Sequence, residues 1–297
     1  MTPPGTLAVD GRSVRVTNLD KVLYPEDGTT KHDVLLHYLS VADVILPQLA
    51  GRPMTRKRWP DGVTGTTVFF EKNVPRGTPE WIRTVTLDSP GSSKDREQVT
   101  YPIIEDRAGL AWVANLAALE LHVPQWQVGP RGGVRNPDRL VIDLDPGAPA
   151  GLDECAEVAL LVRERLAALA HDPVPVTSGS KGMQLYAALE GRHSASAVRD
   201  AAKTLAQQLQ AERPDLVVSD MKRAIRGGKV LLDWSQNSEA KTTIAPYSLR
   251  GRDRAFVATP RTWDEVEAGG LQHVHRTEIP DRLDRFGDLM AVLRDQG

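Results

Sequence analysis

Leu140-Val141-Ile142-Asp143-Leu144-Asp145-Pro146-Gly147 is the stretch on which the reading of the fold turns. Its apolar residues carry the chain up to two carboxylates and stop at Pro-Gly. Side chains alternate faces along a strand, so Asp143 and Asp145 share one face while Ile142 and Leu144 point into a core. Two carboxylates side by side repel each other unless a cation lies between them. Further on, Lys229-Val230-Leu231-Leu232-Asp233-Trp234 reads as a second strand able to deliver a third acid. Three acids around one point make an all-oxygen site suited to Mg²⁺ or Mn²⁺, and a pair of such ions is the usual device for in-line phosphoryl transfer. The plainer alternative, strand-end acids facing solvent, stays open at this level.

Working outward, 297 residues with 40% hydrophobic and 26% charged side chains are ordinary for a globular chain with enough length to bury a core. The single cysteine, Cys155, excludes an intramolecular disulfide and a cysteine zinc cluster. No run approaches a membrane span, and the start Met1–Thr6 lacks the basic-then-apolar order of a signal peptide. A cytoplasmic protein with no membrane partner is expected. The net charge of -2 argues mildly against a polyanion partner, but its distribution does not. Arg52, Arg56, Lys57 and Arg58 crowd one segment; Lys222, Arg223, Arg226 and Lys229 crowd another; Arg250, Arg252 and Arg254 form a third. Acids concentrate in Asp153–Glu164 and Asp264–Asp284, so a basic groove with an acidic back fits the low net charge.

Strands are expected at 13–17, 54–59, 68–72, 97–104, 140–144, 174–177, 183–187 and 229–234. Helices are expected from Lys31, with Thr30 as cap, and over 110–119, 153–169, 196–209, 263–267 and 282–294. This mixed order predicts an α+β fold with mainly antiparallel sheet, not regular βαβ alternation. No linker stands out, so one unit over residues 1–297 is expected, its finer form being two lobes with the active site between them.

Thr177-Ser178-Gly179-Ser180-Lys181-Gly182 falls between two expected strands. Its glycines let backbone N–H groups turn toward an anion, its hydroxyls donate to phosphate oxygens and its lysine supplies charge. The spacing is not that of a Walker P-loop, and a plain hairpin turn is the competing reading. Phe69-Phe70 places adjacent aromatics on opposite faces of a strand, one for the core and one as a platform for a base. His122 lies on an apolar strand, as a core histidine or as a polar contact to a nucleotide. His273 and His275, with only Glu278 near in sequence, are given no role.

Taken in order, these stretches resemble the polymerase domain of bacterial ATP-dependent ligase D, a branch of the archaeo-eukaryotic primase superfamily (primase-polymerases). The resemblance rests on Asn18-Leu19-Asp20-Lys21-Val22-Leu23-Tyr24-Pro25, Thr55-Arg56-Lys57-Arg58-Trp59-Pro60, Phe69-Phe70-Glu71-Lys72 and Glu120-Leu121-His122-Val123-Pro124-Gln125-Trp126. It continues through the acid strand, the Ser/Lys turn, Leu232-Asp233-Trp234-Ser235-Gln236-Asn237 and Lys241-Thr242-Thr243-Ile244-Ala245-Pro246-Tyr247-Ser248-Leu249-Arg250. It implies a nucleotidyltransferase whose Asp143, Asp145 and Asp233 hold two Mn²⁺ or Mg²⁺ ions. Ser178, Lys181, His122, Lys57, Gln236 and Arg250 would contact the incoming nucleoside triphosphate, Phe69 and Phe70 would stack on bases, and the mobile-loop Arg226 would help arrange the site. Asn18, Lys21 and Lys31 would hold a 5′-phosphate.

The resemblance further implies ribonucleotide and Mn²⁺ preference, and action at short gaps or double-strand break ends. It places a monomer beside a DNA ligase and Ku at the bacterial nucleoid. The alternatives are a catalytically silent DNA-end-binding module that recruits a ligase, and a de novo primase. Ligase D usually carries phosphoesterase and ligase modules that this chain does not contain, so a stand-alone relative or an excised domain is expected. The Pro90–Arg96 loop lies where the family varies.

Overall fold

The computed structural model describes residues 5–88 and 97–295, which leaves the Pro90–Arg96 loop outside the described residues. The acid strand, Arg139–Pro146, lies inside a six-stranded sheet, flanked by Met183–Ala188 on one edge and Val230–Asp233 on the other. Both neighbours run antiparallel to it. Among the described strands of this sheet the parallel pair is Val217–Val218 with the outer edge of Val230–Asp233. The α+β, mainly antiparallel expectation therefore holds.

Alternation along the acid strand divides its side chains between two cores. Leu140, Ile142 and Leu144 enter an apolar layer with the helices Leu152–Ala167 and Ala195–Glu212. Val141, on the opposite face, joins a second core with Val174, Val176 and Tyr186. That core also contains Leu119, Leu121 and Ile244 from a four-stranded sheet ordered Thr243–Ile244, Ala118–Val123, Thr55–Arg58, Phe69–Glu71. The Tyr186 hydroxyl ties the sheets together by donating to Ile244 O at 3.0 Å. Ile142 and Leu144 are fully buried, each contributing about 1.5–3 kcal/mol by leaving water. That burial anchors the strand from behind at the two positions flanking Asp143.

The first helix, Lys31–Ser40, begins as expected: Thr30 caps it, and the Asp33 carboxylate returns the bond in a capping box. Most expected helices are shifted at their ends by three residues or fewer, and two differ more. The helix expected over 110–119 runs Arg107–Asn115, because the Asp106 carboxylate accepts from Gly109 N and sets its start. Ala117 then takes a left-handed φ of 55°, and the alanine-rich continuation becomes strand. The span 282–294 is two helices, Ile279–Phe286 and Val292–Asp295, separated where Gly287 turns to φ 67°.

The basic segment Arg52–Arg58 is also not one patch. Arg52 and Arg56 are buried, Arg52 gripping the Asp138 carboxylate at 2.6 and 2.7 Å and Arg56 donating to Asn73 O at 2.6 Å. Lys57 and Arg58 stay partly exposed. His275 finds its acidic partner in Asp27, at 2.8 Å and far away in sequence, so the pair pins the C-terminal region to the N-terminal one. Among the described residues no helix is long and apolar enough to cross a membrane.

Candidate active site

Where the core between the two sheets gives out, the acid strand's second face opens into a cleft of about 210 Å³. Asp143 and Asp145 follow Val141 on that face, and Asp233 stands directly opposite Asp143 in the antiparallel register. One oxygen from each of the three carboxylates lies within 4.8 Å of the others. Like charges placed cross-strand oppose folding, and the titration of the acids reflects it. Desolvation, Asp145 and Asp233 push the Asp143 carboxyl well up, against Gln184 and Arg250. Desolvation and Asp233 raise Asp145 as well, opposed by Arg226, Arg250 and Lys181.

Fixed donors orient the acids. Gln184 Nε2 donates to Asp143 Oδ1 at 3.1 Å. Asp233 Oδ1 accepts from Ser235 N and Oγ at 2.9 and 2.6 Å, and its Oδ2 from Gln236 Nε2 at 3.1 Å. Gln236, expected to meet the nucleotide, is thus engaged with an acid, though it still lines the cleft. Oxygen donors, excess negative charge and a polar opening together fit divalent cations.

The Ser178–Gly182 turn forms the facing wall. It joins Val174–Thr177 to Met183–Ala188, as the sequence indicates, and Ser178 N donates to Gly182 O at 2.9 Å. Gly179 has φ 68°, and a Cβ there would come within 2.7 Å of Arg250 Cγ, so the turn lies directly on that arginine. Gly182 sits so close to the acid strand that a Cβ would fall 1.9 Å from Leu144 O. Lys181 is exposed at the rim, Ser178 is buried, and Arg252 Nε donates to Ser180 Oγ at 2.7 Å.

From the four-stranded sheet come His122, Lys57 and the Phe pair. His122 and Arg250 line the cleft. Lys57 reaches the cleft through Glu120, Phe70 through His122 and Arg226 through its charge on Asp145, while Phe69 meets Arg58. Both phenylalanines are exposed, 42% and 51%, so the expected division into one core and one surface ring is replaced by two surface rings. The reason is that Phe69–Glu71 is the edge strand of its sheet, paired only with Thr55–Arg58 among the described residues. Phe70 meets His122 edge-on at 5.6 Å, and the Arg58 guanidinium lies over Phe69 at 5.9 Å. Arg226 Nη2 donates to Met221 O.

Sequence reasoning passed over Glu120. Its carboxylate is 2% exposed and contacts His122, Lys57, Arg250 and Gly251 N. Burial would raise it, but the His122 hydrogen bond and the charges of Arg250, His122 and Lys57 hold it at about 2. The available signal was an acid two residues before His122, hence on the same face. Gln184 also lines the cleft without having been anticipated, as do Ser180 of the glycine turn and Arg252 of the third basic cluster, which the sequence offers only as members of those groups.

Asn18, Lys21 and Lys31 form a separate group. Asn18 has φ 51°, Lys21 N donates to Asn18 O, and Lys31 N donates to Lys21 O at 2.8 Å. Lys31 is buried, with Nζ donating to Thr17 O at 2.7 Å, while Lys21 pairs with Asp61 at 3.1 Å. Burial, Lys21 and Arg58 bring the Lys31 ammonium down to about 8.

Acids, glycine turn and basic wall meet in one cleft, and a family model assigns the domain that holds it to the primase-polymerase class. Within that class the chain is a member of the LigD primase-polymerase domain family, whose model matches residues 30–290. It is 49% identical over 281 residues to a multifunctional non-homologous end joining protein LigD of Mycolicibacterium smegmatis, covering 94% of this chain and 36% of that protein. A bifunctional non-homologous end joining protein LigD of Bacillus subtilis is 31% identical over 86% of this chain and 40% of its own length. The chain therefore spans well under half of these relatives. The polymerase domain of Mycobacterium tuberculosis ligase D, solved in complex with DNA, superposes with a TM-score of 0.88 at 47% identity, over 94% of this chain and 96% of that one.

Proposed function

We propose that the chain is a metal-dependent DNA repair polymerase. It adds nucleotides, ribonucleotides by preference, to a primer 3′-OH at short gaps or break ends that carry a 5′-phosphate. The convergence of Asp143, Asp145 and Asp233 within 4.8 Å carries this reading. A module that only bound DNA ends would have no use for three mutually repelling acids. Divalent ions bound by these acids supply a lowered pKa for the primer hydroxyl and charge neutralisation for the leaving pyrophosphate. The chain's own groups do the rest: Ser178 and Lys181 meet the nucleotide from one wall, His122, Lys57, Gln236 and Arg250 complete its contacts, and Phe69 and Phe70 offer rings to bases. A DNA ligase, and Ku at broken ends, are the partners that fit.

The test is extension of a 5′-phosphorylated gapped duplex with ribo- and deoxyribonucleotides, each with Mn²⁺ and with Mg²⁺. Template-directed addition is expected, strongest with ribonucleotides and Mn²⁺; no addition with any combination would overturn the reading. Within it, Lys181→Ala should raise the apparent nucleotide KM about tenfold to a hundredfold through loss of a charge-assisted contact. An unchanged KM would return the turn to a plain hairpin.

Lys21 and Lys31 should recognise the terminal phosphate, helped by the N-terminus of the helix that Lys31 begins. Gapped DNA with a 5′-phosphate is expected to bind more tightly than the same DNA with 5′-OH. Because Lys31 titrates near 8 in the free protein, it loses charge as pH rises through 8, and the preference should weaken over that window. It should also weaken with salt. Fluorescence anisotropy with paired duplexes measures this directly; equal binding at low salt and neutral pH would refute the assignment.

A further inference from the structure

We propose that Glu120 is a positioning residue that holds Lys57 and Arg250 as one array facing the polyphosphate of a bound nucleotide, with the His122 ring fixed beside them. The proposal deepens the polymerase reading and rests on the cleft being a nucleotide site.

The two carboxylate oxygens divide the work. Oε2 lies 2.8 Å from His122 Nε2 and 3.8 Å from Lys57 Nζ. Oε1 lies 3.5 Å from Arg250 Nε and accepts from Gly251 N at 3.0 Å. Each of these four partners is a donor or a cation, and together they hold the carboxyl low, in its ionised form. An ionised acceptor requires the proton on His122 Nε2, and burial lowers the imidazole's pKa, so the neutral ring keeps Nδ1 as an acceptor for a nucleotide hydroxyl or a water and not as a donor to phosphate. Glu120 is too buried, at 2% exposed, to meet a substrate itself. It is also separate from the metal-competent acids, which are Asp143, Asp145 and Asp233.

The charge balance explains why such a residue is needed. Lys57 and Arg250 together carry two positive charges against one negative, so the cluster keeps a surplus positive charge next to the cleft. Without the carboxylate the two cations would repel across a partly desolvated space, and Lys57, whose side chain is 35% exposed, would swing to solvent. With it, the cations stand in place before the ligand arrives, so less ordering is left for binding. The ring contact of His122 with Phe70 extends the same brace to the base-stacking pair.

Equilibrium binding of ATP, ADP and AMP, with Mn²⁺, to the intact chain and to Glu120→Gln tests this. Glutamine keeps the shape and the acceptor for Gly251 N but removes the charge. In the intact chain affinity should climb with each phosphate. In Glu120→Gln the ATP affinity should fall about tenfold or more while AMP changes less than about twofold, flattening the climb. Equal weakening of ATP and AMP would mean a merely structural role and overturn the proposal, as would unchanged ATP binding. Should Glu120→Gln fail to melt cooperatively, Glu120→Asp retains the charge at a shorter reach and should show a smaller loss with the same dependence on phosphate number; no such dependence overturns the proposal. The two readings separate cleanly. An intact chain that shows the phosphate climb yet extends no primer loses the polymerase reading and keeps the Glu120 array. A chain that extends primers with an unaltered nucleotide KM in Glu120→Gln loses the array and keeps the polymerase. Absence of nucleotide binding by the intact chain overturns both.

Discussion

Alanine at Asp143, Asp145 or Asp233 is expected to abolish nucleotide addition to a gapped duplex while leaving affinity for that duplex nearly intact. Metal-borne charge stabilisation is worth several kcal/mol at the transition state, so each change should cost at least about a thousandfold in rate. The fold should survive. The strand is held by Ile142 and Leu144 on its other face, and removing one of three like charges relieves repulsion instead of breaking a pair. Stranded donors add some cost in stability, one for Asp143→Ala, which frees Gln184 Nε2, and more for Asp233→Ala, which frees Ser235 N and Oγ and Gln236 Nε2. Single-nucleotide extension beside an anisotropy measurement with the same DNA separates the effects. Near-normal extension by Asp143→Ala would sink the assignment of the acids.

The second large effect should come from a methyl group. Gly182→Ala places a Cβ 1.9 Å from Leu144 O and 2.8 Å from Pro146 Cδ, both on the central acid strand. Neither can retreat, because the strand is paired on both edges. The turn must move instead, giving up the bond from Ser178 N to Gly182 O and carrying Ser178 and Lys181 away from the acids. Overpacking of this kind costs about 1–3 kcal/mol, and an immovable backbone neighbour puts this case at the upper end. Melting several degrees lower together with a steep fall in kcat/KM is expected. Gly133→Ala is the control: a Cβ there meets nothing within 4 Å and its φ is not positive. Matching behaviour of the two variants would show that the close approach is unimportant.

The acid strand and the shared face of Asp143 and Asp145 were legible because strand alternation is a two-residue rule that needs no tertiary information, whereas Asp233 could be read as a strand-end acid but its place opposite Asp143 comes from the pairing of the two strands. The Ser178–Lys181 turn was legible for a similar reason: glycines between two apolar runs mark a turn wherever the chain goes next. What escaped depended on partners distant in sequence. Arg52 and Arg56 look like neighbours of Lys57 in a basic patch, yet their burial depends on Asp138 and on Asn73 with Glu71. Glu120 is unremarkable until the loop at Arg250 and Gly251 folds over it. The helix end near Asn115 was obscured by alanines, which fit helix and strand alike, and only the left-handed turn at Ala117 decides between them. His275 acquired its acid from a residue 248 positions away.

The division of one strand between two cores has a bearing on folding fidelity. A slip of a single residue in the Arg139–Pro146 pairing would turn Asp143 and Asp145 into the helix-packed apolar layer and Ile142 and Leu144 out into the cleft. Both errors are costly, and both edges of the strand would have to slip together. Compact conformers with a misregistered acid strand are therefore scarcely populated, so a chain that has folded at all has, by the same step, put its acids in place.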